Sequence, residues 1–321
     1  MLSIVIPVYN EEESLEELHK QIDAVAQTNQ YDLDIVFVDD GSKDRSWKVV
    51  QALAEKDPRV QAIRFRRNFG KAAALNAGFA AARGETVMTL DADLQDDPAE
   101  IPAFLEKMDE GYDVVSGWKK RRHDPWHKVG PSRVFNWMVS RLTGVELHDH
   151  NCGMKCYRRE IFDEVTLYGE LHRFVPVLAA ARGFRVSERV VQHRARQFGH
   201  SKYGVTRIVK GFLDLLTVKF LTGFGQRPQH ILGTIGLIFF LLGGLVLTAL
   251  AGKWVVIKWF MGGDPELHKS PAVIYSVGLL LMGGQFMTVG FLGELVIAHT
   301  RKSERNYSIA ETIEQKSGLG E

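Results

Sequence analysis

The chain has 321 residues, of which 45% are hydrophobic and 25% charged, enough to bury a full core and to hold more than one structural unit. Its 40 Lys and Arg against 39 Asp and Glu leave a formal net charge of +1, which argues against a dedicated nucleic-acid binder. Its two cysteines, Cys152 and Cys156, would lie about 13 Å apart on a strand, beyond disulfide reach, and are expected as reduced core residues.

Residues 2–8 form a short apolar run with no basic flank before it and Glu11-Glu12-Glu13 after it. That reads as a buried strand and not as a secretory signal, so the N-terminal part is expected in the cytoplasm. Further strand-like runs over 33–39, 60–65, 86–90 and 113–117 alternate with helical stretches over 14–26, 46–55, 71–82 and 99–111. Such alternation builds a parallel sheet covered on both faces, which binds ligands beyond the carboxyl ends of its strands. Four polar clusters fall there: Tyr9-Asn10-Glu11, Asp39-Asp40-Gly41-Ser42, Arg66 to Lys71, and Asp91-Ala92-Asp93. No GxGxxG or GxxxxGK(S/T) loop occurs among them, so neither a dinucleotide fingerprint nor a Walker-type loop is supported.

The fourth cluster is the most informative. An apolar run, Thr86-Val87-Met88-Thr89-Leu90, turns abruptly into Asp91-Ala92-Asp93-Leu94-Gln95. Two carboxylates one residue apart at the end of a buried strand repel in low dielectric unless a cation sits between them. Mg²⁺ or Mn²⁺ suits such oxygens and keeps positions open for substrate phosphates. An Asx turn capping the helix that starts near Pro98 carries equal weight, because aspartate is common in turns and caps. His148, His150, His172, His193 and His200 form no HExxH pairing, so a zinc site is not expected.

Two long apolar segments follow, residues 231–251 and 272–298. Each reaches the about 20 residues that cross a bilayer, and globular helices seldom stay apolar on all faces for that length. Trp254, Trp259 and Phe260 in the connector are rings that favour the membrane interface. Two spans make a hairpin with both ends on one side. Lys210, Lys219 and Arg227 before it, with Arg301, Lys302 and Arg305 after it, point those ends to the cytoplasm, although Lys253, Lys258 and Lys269 in the connector weaken the bias. Residues 203–224 interleave apolar and basic positions, the pattern of a helix lying among headgroups or, equally, of one packed on the soluble domain. The expected division is 1–202 soluble, 203–229 amphipathic, 230–300 hairpin and 301–321 cytoplasmic tail.

Pro7-Val8-Tyr9-Asn10-Glu11, Asp39-Asp40-Gly41-Ser42-Lys43-Asp44, Asn68-Phe69-Gly70-Lys71, Asp91 to Pro98 and Arg196-Gln197-Phe198-Gly199-His200-Ser201-Lys202 resemble the inverting family 2 glycosyltransferases. More narrowly, the whole chain resembles the polyprenyl-phosphate glycosyltransferases, the group of dolichol-phosphate mannose synthase and bacterial undecaprenyl-phosphate glucosyltransferases. The resemblance implies an α/β fold: a GT-A, Rossmann-like, mostly parallel sheet domain, an amphipathic juxtamembrane helix and a two-helix transmembrane hairpin in the inner (plasma) membrane. It implies metal-dependent transfer of a single hexose from a UDP- or GDP-sugar to undecaprenyl or dolichyl phosphate on the cytoplasmic leaflet. Pro7, Tyr9, Glu11, Asp39, Asp40, Lys71 and Asp91 would hold the nucleotide. Asp91, Asp93 and Gln95 would hold Mg²⁺ or Mn²⁺. Arg121, Arg122, Arg133, Arg196, Ser201 and Lys202 would take the acceptor phosphate, and Asp91, Asp93, Arg133, Arg196 and Lys202 make up the catalytic set. Bacterial members often form homo-oligomers, an expectation carried over here.

Lys119 and Lys120 precede Arg121 and Arg122 and extend the cationic stretch offered to the acceptor. Lys155 stands where the family often has arginine, so that contact is expected to be retuned or lost. Asp149 reads either as a base in relatives with hydroxyl acceptors or as a structural residue, and Arg173 resembles a position near the donor sugar. Two other functions are weighed. A processive polysaccharide synthase typically carries a QxxRW motif and more spans, and a non-catalytic nucleotide-binding scaffold gives no motive for an intact Asp91/Asp93 pair.

Overall fold

A computed structural model describes residues 1–120, 126–165, 171–192, 194, 206–219, 228–263 and 270–300. Arg121, Arg122, Arg196, Ser201 and Lys202, expected at the acceptor phosphate, lie outside the described residues, as does the 301–321 tail. The described residues divide into two compact units, 1–219 and 228–300.

The first unit holds β1 (Leu2–Val8), β2 (Leu33–Asp39), β3 (Val60–Arg64), β4 (Thr86–Thr89), β5 (Val114–Trp118), β6 (Lys155–Arg158) and β7 (Val186–Val190) in the order β3-β2-β1-β4-β6-β5-β7. Every neighbouring pair is parallel except those of β6, which runs antiparallel to β4 and β5. Its helices are α1 (Leu15–Asn29), α2 (Ser46–Lys56), α3 (Lys71–Ala81), α4 (Ile101–Asp109), α5 (Trp126–Thr143), α6 (Ile161–Glu164), α7 (Val175–Ala181) and α8 (Thr206–Lys219). Ile4, Ile6, Ile35 and Phe37 pack with Leu18 and Ile22 of α1, Val50 of α2 and Phe104 of α4. The alternate residues Val5, Val36 and Val38 pack with Leu75 and Phe79 of α3. Burial on both faces explains why these strands read as unbroken apolar runs.

β6 was not expected. Lys155-Cys156-Tyr157-Arg158 has a charge at each end, and its seat between β4 and β5, not a local apolar pattern, makes it a strand. Cys152 and Cys156 are free and buried in the core. The expected helix over 99–111 begins instead with a 3₁₀ turn, Pro98–Glu100, capped by the Asp97 carboxylate, which accepts from Ala99 N at 3.0 Å. That cap therefore belongs to neither Asp91 nor Asp93.

One face of α8 buries Leu215 and Val218 beside Val139 of α5 and Phe174 and Val177. The other leaves Phe212, Leu213 and Leu216 exposed.

The second unit is a helical hairpin. α9 (Pro228–Val255) continues through a π-helical segment, Val256–Phe260, and α10 (Pro271–Thr300) packs against it. Trp254, Trp259 and Phe260, expected in the connector, thus extend the first helix. The two backbones meet at Gly236 and Gly283, where a Cβ on either would lie 2.6 Å from the other's carbonyl oxygen. Both helices are long and apolar enough to span a bilayer, and only 11% of each apolar stretch is buried within the protein. Lipid is the solvent that suits such a surface, since the apolar faces of a soluble helix pair would be covered.

Candidate active site

The carboxyl ends of β1, β2 and β4 open on a cavity of about 430 Å³. Pro7, Tyr9 and Glu11 line it from β1, Asp40 follows β2, Lys71 starts α3, and Asp91, Asp93 and Gln95 follow β4. A second wall comes from Asn151, Gly153 and Lys155, and from His172 and Arg173.

Hydrogen bonds between loops fix this rim. Asn10 sits at φ 54°, a conformation asparagine tolerates better than most residues. Its N–H donates to Ser42 Oγ at 3.0 Å, and its Oδ1 accepts from Lys43 N at 2.8 Å. Glu11 N donates to Ser46 Oγ at 2.9 Å. Asp40 accepts from Phe69 N at 2.7 Å and Gly70 N at 3.0 Å, so the β2 loop carries the loop that delivers Lys71. Burial raises the Asp40 pKa against those two bonds. Asp39 is fully buried, accepts from Ser42 N at 3.0 Å and lies 3.4 Å from Arg64 Nε. It shapes its own turn and is not among the residues lining the cavity.

Asp91 forms an ion pair with Lys71. Burial pushes its pKa up, but the Lys71 ammonium overrides this and brings it to about 2. Gly153 lies directly against the same carboxylate, since a Cβ there would come 2.5 Å from Asp91 Oδ2. Asp93 accepts from Gln95 N at 3.2 Å. An Asx turn thus exists here, but it closes the acidic loop on itself. Between the two acids and Gln95 the chain passes through Leu94 at φ 60°, strain of roughly 1–2 kcal/mol for a residue with a Cβ.

Hard oxygen donors are what this corner offers. Among the described residues no three His, Cys, Asp or Glu side chains are placed to hold a metal. Two carboxylates and an amide oxygen nevertheless fit Mg²⁺ or Mn²⁺, which bind through one or two carboxylates and take further ligands from substrate phosphates.

The second wall contains residues to which the sequence assigned no part in the site, Asn151 and Gly153 among them. Asp149 is buried and accepts from Asn151 N at 3.1 Å. Lys155 donates to the carbonyl oxygens of His150 at 3.2 Å and Cys152 at 2.5 Å. Burial, with Lys71 nearby, brings its pKa down to about 8. Burial also holds the His172 pKa well below the usual histidine value.

Lys119 and Arg133, two of the cations offered to the acceptor phosphate, are not among the residues lining the cavity. Lys119 is buried in an ion pair with Asp96 at 2.9 Å. Burial opposes its charge, but Asp96 keeps its pKa above that of an ordinary lysine. Arg133 is exposed on α5 and does not line the cavity.

The model of glycosyl transferase family 2 matches residues 3–166. Dodecaprenyl-phosphate galacturonate synthase of Rhizobium johnstonii is 34% identical across 98% of this chain and 94% of its own. Undecaprenyl-phosphate 4-deoxy-4-formamido-L-arabinose transferase of Pseudomonas fluorescens is 39% identical across 91% of this chain and 83% of its own. Glucosyl-3-phosphoglycerate synthase from Mycobacterium tuberculosis, solved with Mn²⁺, uridine diphosphate and phosphoglyceric acid, shares the fold with a TM-score of 0.54. It does so at 16% identity, over 69% of this chain and 78% of that one. The sheet is of the GT-A type, and the chain is a glycosyltransferase that belongs to family 2, in the group of the polyprenyl-phosphate glycosyltransferases.

Proposed function

We propose that this enzyme transfers a single hexose, with inversion, from a UDP- or GDP-linked donor to undecaprenyl or dolichyl phosphate at the cytoplasmic leaflet of the inner (plasma) membrane. The meeting of Tyr9, Glu11, Asp40, Lys71, Asp91, Asp93 and Gln95 in one cavity carries this reading. The names of the relatives supply its acceptor class.

Tyr9 offers an aromatic face to the base, and Glu11 and Asp40 offer acceptors for ribose hydroxyls. Asp91, Asp93 and Gln95 would hold a divalent ion, which would supply positive charge for the departing nucleoside diphosphate. Lys71, paired with Asp91, fixes that carboxylate in its ionised form. The acceptor is a phosphate monoester whose second pKa is about 6, so it is largely dianionic at neutral pH. Its oxygen bonds to the anomeric carbon as the bond to the diphosphate oxygen breaks on the opposite side. No proton has to leave the nucleophile, so no general base is required. The chain's task is to place the acceptor anion, which falls to Arg121, Arg122, Arg133, Arg196, Ser201 and Lys202; arginine forks match phosphate oxygens. The apolar hairpin and the exposed stripe of α8 suit attachment to the lipid phase that carries such an acceptor.

A panel of UDP- and GDP-sugars, incubated in detergent with the enzyme, undecaprenyl phosphate and Mg²⁺ or Mn²⁺, tests the reading. One donor should give a lipid carrying one sugar with inverted anomeric configuration, and chelation should stop the reaction. A panel that gives no lipid-linked sugar would remove the reading, and a polymeric product would replace it with processive synthesis.

A further inference from the structure

Lys155 opens β6 in the wall of the cavity and is 4% exposed. Its ammonium is satisfied by two neutral carbonyl oxygens, and among the described residues no carboxylate forms an ion pair with it. The neighbouring cations differ: Lys71 is neutralised by Asp91 and Lys119 by Asp96. Asp149 and Asp91 lie near enough to favour its charge without pairing with it, and an apolar side chain of similar volume serves better where the role is only to fill space. An anion arriving in the cavity would give this ammonium the direct ion pair that the more distant Asp149 and Asp91 do not.

Resting on the donor reading above, we propose that Lys155 binds an anionic group of the nucleotide-sugar donor, either a diphosphate oxygen or a carboxylate on the sugar. An ammonium offers a single point of charge where a guanidinium would offer a planar fork.

The test is calorimetric titration of the full-length enzyme, wild type, Lys155→Met and Lys155→Arg, in the presence of Mg²⁺ or Mn²⁺, with UDP, GDP, UDP-glucose and UDP-galacturonate. If the anion is the diphosphate, Lys155→Met loses at least tenfold in affinity for the nucleoside diphosphate itself. If the anion is the sugar carboxylate, the loss is confined to UDP-galacturonate. Lys155→Arg, which keeps the charge, should recover most of either loss. Equal affinity of wild type and a cooperatively melting Lys155→Met for every probe overturns the assignment. A wild-type enzyme that binds none of the probes overturns the donor reading and this inference together, so the two failures look different.

Should Lys155→Met not fold, the wild type alone decides. An anion at Lys155 raises its pKa from about 8, so binding of the tightest probe at pH 8, measured in buffers of different ionisation enthalpy, takes up protons. Lys71 and Asp91 face Lys155 as an ion pair, together with Asp149, His150, Cys152 and His172. Against burial, the Lys71 ammonium brings the Asp91 carboxyl down to about 2, while burial holds the His150 and His172 imidazoles well below the usual histidine value and pushes the Cys152 thiol up to about 12, all far from the pH of the measurement. Absence of uptake overturns the assignment.

Discussion

Asp91 and Asp93 stand one residue apart and are held in different ways. Asp91 is pinned from two directions, by the Lys71 ammonium and by the Gly153 backbone, so its position follows from its surroundings. Asp93 spends one oxygen on Gln95 N within its own loop, and its replacement leaves the sheet untouched. Asp93→Ala should therefore lower transfer by about 100- to 1000-fold, the scale of losing a group aimed at developing charge, while membrane insertion and melting temperature stay near wild type. Turnover within a fewfold of wild type would remove Asp93 from the mechanism. Gly153→Ala tests the other wall. Its new Cβ would come 2.5 Å from Asp91 Oδ2, and a displacement of about 1 Å at a reacting group costs on the order of 100-fold in rate. We expect kcat/KM to fall by that order with little change in melting temperature, which steady-state kinetics beside a thermal melt would show. The acid pair was legible because an apolar run breaks into charge within a single strand. Gly153 was not, because its contact with Asp91 exists only once β6 has inserted beside β4.

At the scale of elements, the alternation of apolar runs with amphipathic stretches placed the first four strands and the helices between them to within a few residues. The covering of both sheet faces is written into each strand separately. The insertion of β6 between β4 and β5 has no such local signature, because its pairing energy comes from two neighbours remote in sequence. One staple between elements makes a pH prediction. Asp57 ends α2 and accepts from Arg59 Nε at 2.9 Å and Nη2 at 2.7 Å, while His19 of α1 lies 2.9 Å away. The Arg59 guanidinium holds the Asp57 carboxyl well below the usual range, against burial, with further help from the Arg59 N–H and His19. A carboxylate with a depressed folded pKa contributes stability that is complete above its unfolded value, about 3.9, and fades as pH falls from there toward the folded value. Asp57→Asn should melt several degrees lower than wild type at pH 7, and the gap should narrow below about pH 4. A gap that persists unchanged at pH 2.5 in calorimetric scans would show that the carboxylate's charge is not what α2 relies on.

For the whole molecule, the two units divide the labour that the chemistry demands. A water-soluble nucleotide sugar needs a polar cavity, which the sheet unit supplies at the carboxyl ends of its strands, and a polyprenyl acceptor needs a lipid phase, which the hairpin's exposed apolar surface matches. Were both helices to cross the bilayer, as proposed, the chain would return to the side it left, and the sheet unit and the chain after α10 would share one face of the membrane. Loop charge alone sets this weakly, since Lys253, Lys258 and Lys269 crowd the turn between the helices. Alkaline phosphatase fused within residues 264–269 should be active outside the membrane, while a fluorescent protein fused after residue 300 should light up in the cytoplasm, and the full chain should resist alkaline carbonate extraction. Inserting charge into the hairpin gives the matching control. Leu241→Arg places a guanidinium on an exposed apolar face, at a cost of about 2.5–3.5 kcal/mol near a helix centre, and should lower the inserted fraction without altering nucleotide affinity in the molecules that insert. Phosphatase activity at the C-terminal fusion instead, with a silent connector fusion, would invert the topology and separate the site from a cytoplasmic donor.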